Sequence, residues 1–373
     1  MNQTTSKNLE RAMALHQKAV VIDTHCDTTQ RLVDAAWDIG LRDDAGHVDL
    51  PRLRDGGVDA MFFAVYAPPL EKPGDGARAV RAQVGHILRM VAQHSADMTL
   101  ARTAADVRDA RATGKVAILI AIEGGYLIED SLDLLRSYRE LGATYLTLTH
   151  SFHISWADSA GVHEDLPPRH GGLTDFGVDV VRELNRLGMM VDISHVSDDT
   201  FWQALETSAA PVIATHSSCR AVAPHRRNLS DEMIKAVAAQ DGVVQINFAA
   251  AFIDPDAPPL DPEVLQRWLD GGGVVRERMT DHVTPLSVLV DHFDHALKLV
   301  GPRHVGIGTD FDGVPMLPGG MEHCGKLPSL TAGLLDRGYS EDELTPMLGD
   351  NVLRVMDACA KVAAAAPAVH RRA

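Results

Sequence analysis

Imidazoles and carboxylates recur in this 373-residue chain immediately after short apolar runs. His25 and Asp27 follow AVVIDT, Glu123 follows VAILIAI, and His150 follows TYLTLT. His195 follows MMVDIS, His216 follows PVIAT, and Asp310 follows HVGIGT. These side chains hold divalent cations and move protons. A lone histidine on an apolar face is more often a hydrogen-bonded core residue than a ligand. Many such groups gathered at one place are a different matter, because burying them uncompensated is costly without a shared cation. Three histidines, an aspartate and a glutamate exceed what one catalytic zinc with an open position takes, and suit two metal ions sharing a carboxylate. In several barrel hydrolases a modified lysine bridges such a pair. No lysine ends a run here, so Glu123 is the expected bridge, together with a water or hydroxide that is nucleophilic at neutral pH.

Such convergence requires a scaffold that brings the run ends together. The runs lie at 19–24, 59–66, 116–122, 144–149, 189–194, 211–215, 242–248 and 304–309. Their continuous apolarity suits parallel strands buried on both faces. Helical patterns separate them. Residues 173–187 repeat apolar side chains and stop at Gly188, while Ser197 and Ser230 are N-cap candidates. Residues 285–300 read as helix, an N-terminal helix is expected over about 5–18, and C-terminal helices over about 328–365, within which SEDELTPMLGDNVLRVMDACAKV opens on a Ser340–Glu343 capping box. The alternation predicts an α/β fold, a (β/α)8 barrel with inserted loops, as one domain over 1–373. Its chemistry would collect at the carboxyl ends of the strands. Strand alternation then turns His25 and Asp27 inward and Cys26 outward, as a packed thiol. Asp23 shares the parity of His25 and is a candidate to orient a ligand, or else a buried carboxylate bonded to backbone or arginine. The long breaks at 67–80, 151–172 and 253–281 read as loops, and His153, His163 and His170 as loop-packing or solvated residues.

A net charge of −16, from 35 basic and 51 acidic residues, disfavours nucleic acid and anionic lipid as partners. Four scattered cysteines form neither a disulfide framework nor a CxxC metal site, and suit a reducing compartment. The first twenty residues lack a signal peptide's apolar core, and no run reaches membrane-spanning length. A soluble, cytoplasmic protein is expected, acting on a small substrate, with a homodimer left open.

The stretches VIDTHCDTT, AIEGG, YLTLTHSFHISWADS, DISHVSDDTFW, ATHSSCRAVAPHRRN, GIGTDFDGV and GDNVLRV together resemble the membrane (renal-type) dipeptidase family of the amidohydrolase superfamily. The likeness runs in order from about residue 20 to about 358. It implies that His25 and Asp27 hold one zinc, His195 and His216 the other, and that Glu123 bridges them. It implies further that Asp310 is the acid/base, with Asp312 as rival, and that His150 polarises the scissile carbonyl. Arg227 would bind the substrate's terminal carboxylate. Phe252 stands where family members often carry a tyrosine, so one substrate hydrogen bond differs. The implied activity is hydrolysis of L,L-dipeptides, extended by the resemblance to a D-residue at the carboxyl-terminal position. Two alternatives stand beside it. The same site suits N-acyl amino acids, lactams or lactones, and a non-catalytic metal-binding scaffold would need the ligands but not Asp310.

Overall fold

The apolar runs become strands because both of their faces are covered, the inner by each other and the outer by helices. The computed structural model describes residues 3–34, 36–161, 167–258 and 282–366. Its strands are β1 (Ile22–Cys26), β2 (Ala60–Val65), β3 (Met98–Leu100), β4 (Val116–Glu123), β5 (Ala143–Thr147), β6 (Met190–Asp192), β7 (Ile213–Ala214), β8 (Val243–Ile246) and β9 (Val305–Ile307). All pair in parallel in the order β1-β2-β4-β5-β6-β7-β8-β9. Cys26 bridges to Phe311, and the Asp27 N–H donates to the Phe311 carbonyl at 2.8 Å, which brings the two ends of the sheet together. The result is a nearly closed barrel of eight parallel strands with interleaved helices, as the alternation predicts.

β3 was not among the expected runs. Its three residues pair only with Val116–Ile118 at the start of β4, beside the barrel wall. Inside the barrel, Ile22, Phe62, Leu119, Tyr145, Met190, Ile213 and Val243 form one buried cluster. Their sequence neighbours Val21, Met61, Phe63, Ile118, Ile120, Leu146 and Val191 belong to a second cluster shared with the helices. This is the period-two division that a double-covered sheet demands.

Helix ends follow the sequence closely. The helix Asp175–Leu187 stops at Gly188, whose φ is 66°, and Ser197 and Ser230 accept the N–H groups of Thr200 and Met233. The helix expected from 285 runs Leu286–Val300. Gln3–Lys18 is the N-terminal helix. At the C-terminus, Ser340 and Glu343 form the expected capping box, and Leu327–Asp336, Glu341–Thr345 and Asn351–Ala365 are helical. Most of the loop expected at 253–281, from 259 on, lies outside the described residues, as does His163. Among the described residues no helix is long and apolar enough to cross a membrane.

Candidate active site

The residues that end the strands meet at the barrel's carboxyl mouth, and β1 reaches it by an irregularity that simple alternation misses. Asp23 pairs with Met61 and Cys26 with Phe63, so Thr24 and His25 together oppose Phe62 alone. The extra residue re-aims the strand. Thr24 and His25 therefore both face inward, with the Thr24 hydroxyl donating across the barrel to the Thr215 carbonyl at 2.7 Å. Cys26 faces outward into the helix-packed cluster, as expected. Asp23 is a correction: the bulge puts it on the outer side with Cys26. There it accepts the Thr309 N–H and hydroxyl, at 3.0 and 2.6 Å, and the His25 N–H at 3.3 Å. Of its two readings the structure shows the buried carboxylate, held by two backbone N–H groups and the Thr309 hydroxyl rather than by an arginine.

Glu123, the last residue of β4, sits between the other groups. Its Oε2 lies 3.4 Å from His25 Nε2, and its Oε1 lies 3.2 Å from His195 Nε2 and 3.5 Å from His216 Nε2. His25 Nε2 is also 3.7 Å from Asp27 Oδ2 and 3.9 Å from Asp310 Oδ1. His150, half-buried at the rim, places Nε2 3.8 Å from Glu123 Oε1 and its ring 4.7 Å from that of His195. His25 Nε2, His216 Nε2, Asp27 Oδ1 and His195 Nδ1 are buried with no hydrogen-bond partner among the described residues. Three groups of donor atoms are close enough to share an ion: His25, Glu123 and His216; Glu123, His150 and His195; and His25, Asp27 and Asp310. The two oxygens of Glu123 thus face different histidines, the shape a bridging carboxylate needs.

Burial and crowding set the protonation states. Burial, reinforced by Glu123, pushes the Asp27 carboxyl up to about 8. Asp310 rises for the same first reason, against the opposing pull of His25. Burial opposes ionisation of Glu123, but the surrounding imidazoles, His25 foremost, hold it well below the usual carboxylate range. Burial drives His195 and His216 well below the ordinary imidazole value, leaving both neutral with lone pairs to offer. A pocket this rich in unsatisfied donors fits cations.

Backbone strain aims two of these groups. His195 and Asp310 have φ of 67° and 64°, a left-handed conformation that His and Asp tolerate better than most residues. The His195 carbonyl is clamped by the Ala160 N–H at 2.8 Å and the Thr149 hydroxyl at 3.0 Å, so its surroundings over-determine the turn. Asn247 Nδ2 donates to Asp310 Oδ2 at 2.8 Å, which leaves Oδ1 facing His25. A Cβ at Gly313 would overlap both Asp27 Oδ2 and Asp310 Oδ1, so glycine is required for this close approach. Asp312 turns away from the pocket, accepting from the Thr28 hydroxyl at 2.7 Å and the His47 N–H at 2.8 Å.

Arg227 is buried beside the mouth. Its guanidinium donates to the His216 carbonyl at 3.2 Å and lies 5.6 Å from the Phe252 ring, while its Nε has no partner. Burial pulls its pKa down to about 10, still protonated at neutral pH. Phe252, in the short helix Ala250–Ile253, also stacks on His225 with ring centres 4.7 Å apart. His153 and His170 are occupied with loop carbonyls, those of Pro167 and Ile154.

The sequence reading missed four site-supporting residues. Tyr145 Oη donates to the Thr24 carbonyl at 3.0 Å and accepts from His25 Nδ1 at 2.8 Å. Asp192 and Thr215 stand behind His216, and Asn247 behind Asp310. Each is a polar residue inside or just past an apolar run, the same signal that marked the histidines.

A sequence model of the membrane dipeptidases, peptidase family M19, matches residues 9–370. Dipeptidase verJ of Clonostachys rogersoniana is 34% identical over 372 residues, spanning 95% of this chain and 88% of that protein. The crystal structure of the probable dipeptidase PvdM from Pseudomonas aeruginosa has a TM-score of 0.83 at 26% identity, covering 96% of this chain and 99% of that one. A metallopeptidase from Rhodobacter sphaeroides, crystallised with a phosphinate mimic of the dipeptide L-Ala-D-Ala, has a TM-score of 0.77 at 29% identity and covers 91% and 99%.

Proposed function

Because this chain belongs to the membrane dipeptidase family, and is with it a metal-dependent dipeptidase, we propose that it cleaves the peptide bond of free dipeptides with two zinc ions per chain. The observation that carries the reading is the division of Glu123 between His25 on one side and His195 and His216 on the other, with Nε2 atoms unpartnered on His25 and His216. His25 and Asp27 would hold one ion, His195 and His216 the other, and Glu123 both. Nitrogen and carboxylate donors of this kind suit zinc. Bound there, the ions would supply a water of lowered pKa and polarisation of the scissile carbonyl.

The remaining steps belong to the chain's own side chains. Arg227 fixes the substrate's terminal carboxylate through a planar fork and so sets where the chain must end. Burial lowers the pKa of His150, so a neutral imidazole at the rim donates an N–H to the oxygen that becomes negative in the tetrahedral state. Asp310 receives the proton of the attacking water at Oδ1, the oxygen Asn247 leaves open, and returns it to the departing amine. Acceptance of a D-residue at the carboxyl-terminal position is part of the proposal, supported by the L-Ala-D-Ala mimic bound to the Rhodobacter sphaeroides relative. A cytoplasmic location belongs to the same reading, supported by four buried, unpaired thiols.

The test is kinetics on L,L- and L,D-dipeptides and their N-acetyl counterparts, with metal content measured on the same sample. Free-amine dipeptides should be preferred, and a chelator should abolish turnover. Asp310→Asn should keep its metal and lose about 10²–10⁴-fold in kcat. Fully loaded protein that cleaves no dipeptide, or that prefers the acylated series, would overturn the reading.

A further inference from the structure

We propose that Asp192 and Thr215 are positioning residues that fix the tautomer and direction of His216, so that it meets a metal ion through Nε2. The inference rests on the reading of His216 as a metal-holding residue. Asp192 ends β6 and is fully buried. Its Oδ1 accepts the backbone N–H groups of Ser194 at 3.0 Å and Thr215 at 2.9 Å, and its Oδ2 accepts the hydroxyls of Thr147 at 2.6 Å and Thr215 at 2.7 Å. Every one of these partners is a donor, as an acceptor-only carboxylate requires.

Thr215 has a single hydroxyl proton, and Asp192 takes it. The Thr215 oxygen can then only accept from His216 Nδ1, 2.9 Å away. Nδ1 therefore carries the ring hydrogen, and Nε2 is left with its lone pair in the space beside Glu123 Oε1, 3.5 Å distant and without a hydrogen-bond partner. The His216 N–H is separately held by the Ser194 hydroxyl at 3.1 Å, which fixes the backbone from which the ring projects. The same logic recurs on the other side of the site. The Tyr145 hydroxyl spends its proton on the Thr24 carbonyl and so can only accept from His25 Nδ1. Two histidines of the pocket thus present the same nitrogen for the same reason, from unrelated strands. A hydroxyl relayed to a carboxylate raises the basicity of the imidazole as well as orienting it, and loss of such partners weakens metal affinity.

The experiment compares Thr215→Val, which keeps the shape and removes the hydroxyl, with Thr215→Ser, which keeps the hydroxyl. Metal-stripped proteins are titrated with Zn²⁺ against a chromophoric chelator, and the thermal midpoint of each metal-free protein is recorded. Thr215→Ser should bind as the native protein does, whereas Thr215→Val, with a lowered metal-free midpoint from its lost buried hydrogen bonds, should hold one ion about 10–100-fold more weakly at a temperature where both metal-free proteins are folded. His216→Ala separates the two levels of the argument. If it binds both ions normally, the reading of His216 itself fails. If it loses an ion while folded Thr215→Val binds normally, the positioning role is overturned. Should Thr215→Val not fold, ¹⁵N-histidine spectra of the metal-free native protein decide, with His216 assigned through His216→Gln. Hydrogen on Nδ1 supports the proposal, and hydrogen on Nε2 refutes it.

Discussion

At the scale of single residues, the pocket works by leaving buried polar atoms without protein partners. Arg227 is the clearest case outside the metal-holding groups: a guanidinium taken out of water whose Nε has no partner among the described residues. A ligand carboxylate suits that free N–H, and a lysine at the same place would present one point charge in place of a fork. Replacing Arg227 by Lys should therefore reduce kcat/KM for dipeptides by roughly 10- to 150-fold, the loss of a charged hydrogen bond of about 1.5–3 kcal/mol. Dipeptide C-terminal amides, which lack the carboxylate, should show little difference between the two proteins. An unchanged kcat/KM on free dipeptides would remove Arg227 from the site. His25, Asp27, Glu123, His195 and His216 were all legible as polar groups ending apolar runs. Their supporting partners carry the same polar-in-apolar signal, but the roles of Tyr145 and Thr215 were not legible, because their partners are set only by the barrel's closure.

At the scale of elements, periodicity located the barrel strands and the helix ends, but overshot where a strand leaves its ladder. Leu148 and Thr149 belong to an apolar run and are buried, yet β5 ends at Thr147 and the chain there is already turning toward His150. β3 escaped notice because three residues carry too short a pattern to read. Alternation also misplaced Asp23, since one bulge in β1 reverses the parity of everything before it. Local chemistry was more reliable at helix ends, where a cap is decided by neighbours in sequence. Gly188 is a case with a measurable consequence: at φ 66° it terminates Asp175–Leu187, and a Cβ there would stand 3.2 Å from the Ala363 Cβ of the C-terminal helix. Gly188→Ala should destabilise the protein by about 1–2 kcal/mol, the cost of a left-handed non-glycine residue. Urea unfolding would measure it, and activity per folded molecule should not change. No shift in the urea midpoint would contradict the account.

At the scale of the whole molecule, two buried histidines outside the candidate ligand set tie distant segments together and make stability depend on pH. His16, on the N-terminal helix, donates from Nδ1 to the Gly56 carbonyl at 2.7 Å and accepts at Nε2 from the Thr331 hydroxyl at 2.8 Å. His292 donates from Nε2 to the Ile253 carbonyl at 2.9 Å and accepts at Nδ1 from the Cys219 N–H at 3.0 Å. His292 needs a bare Nδ1 to accept that N–H, and burial pulls the pKa of each ring from 6.5 down to about 4. Unfolding restores the higher value, so between pH 6.5 and 4 the unfolded chain binds more protons than the folded one. Stability is complete above that window and falls as pH descends through it, by up to about 2.7 kcal/mol per pH unit when both rings contribute. Urea midpoints of chelator-treated protein from pH 7 to 4.5 test this. In His292→Asn, whose amide can still accept from Cys219, the slope should shrink by about one proton, and an identical slope would contradict the assignment.

The sequence by itself determined the class of fold, the eight run positions and the residue types at the strand ends, because hydrophobic period and cap chemistry are read from neighbours along the chain. It also carried a family resemblance on which the roles of Asp310, His150 and Arg227 depended. Tertiary structure alone decided which oxygen of Glu123 faces which histidine, which side of β1 Asp23 takes, and which hydroxyls stand behind His25 and His216. Those relations cross the barrel between residues such as Tyr145 and Thr24, 121 positions apart. Their geometry follows from barrel closure and a single bulge, neither of which any local stretch of sequence encodes.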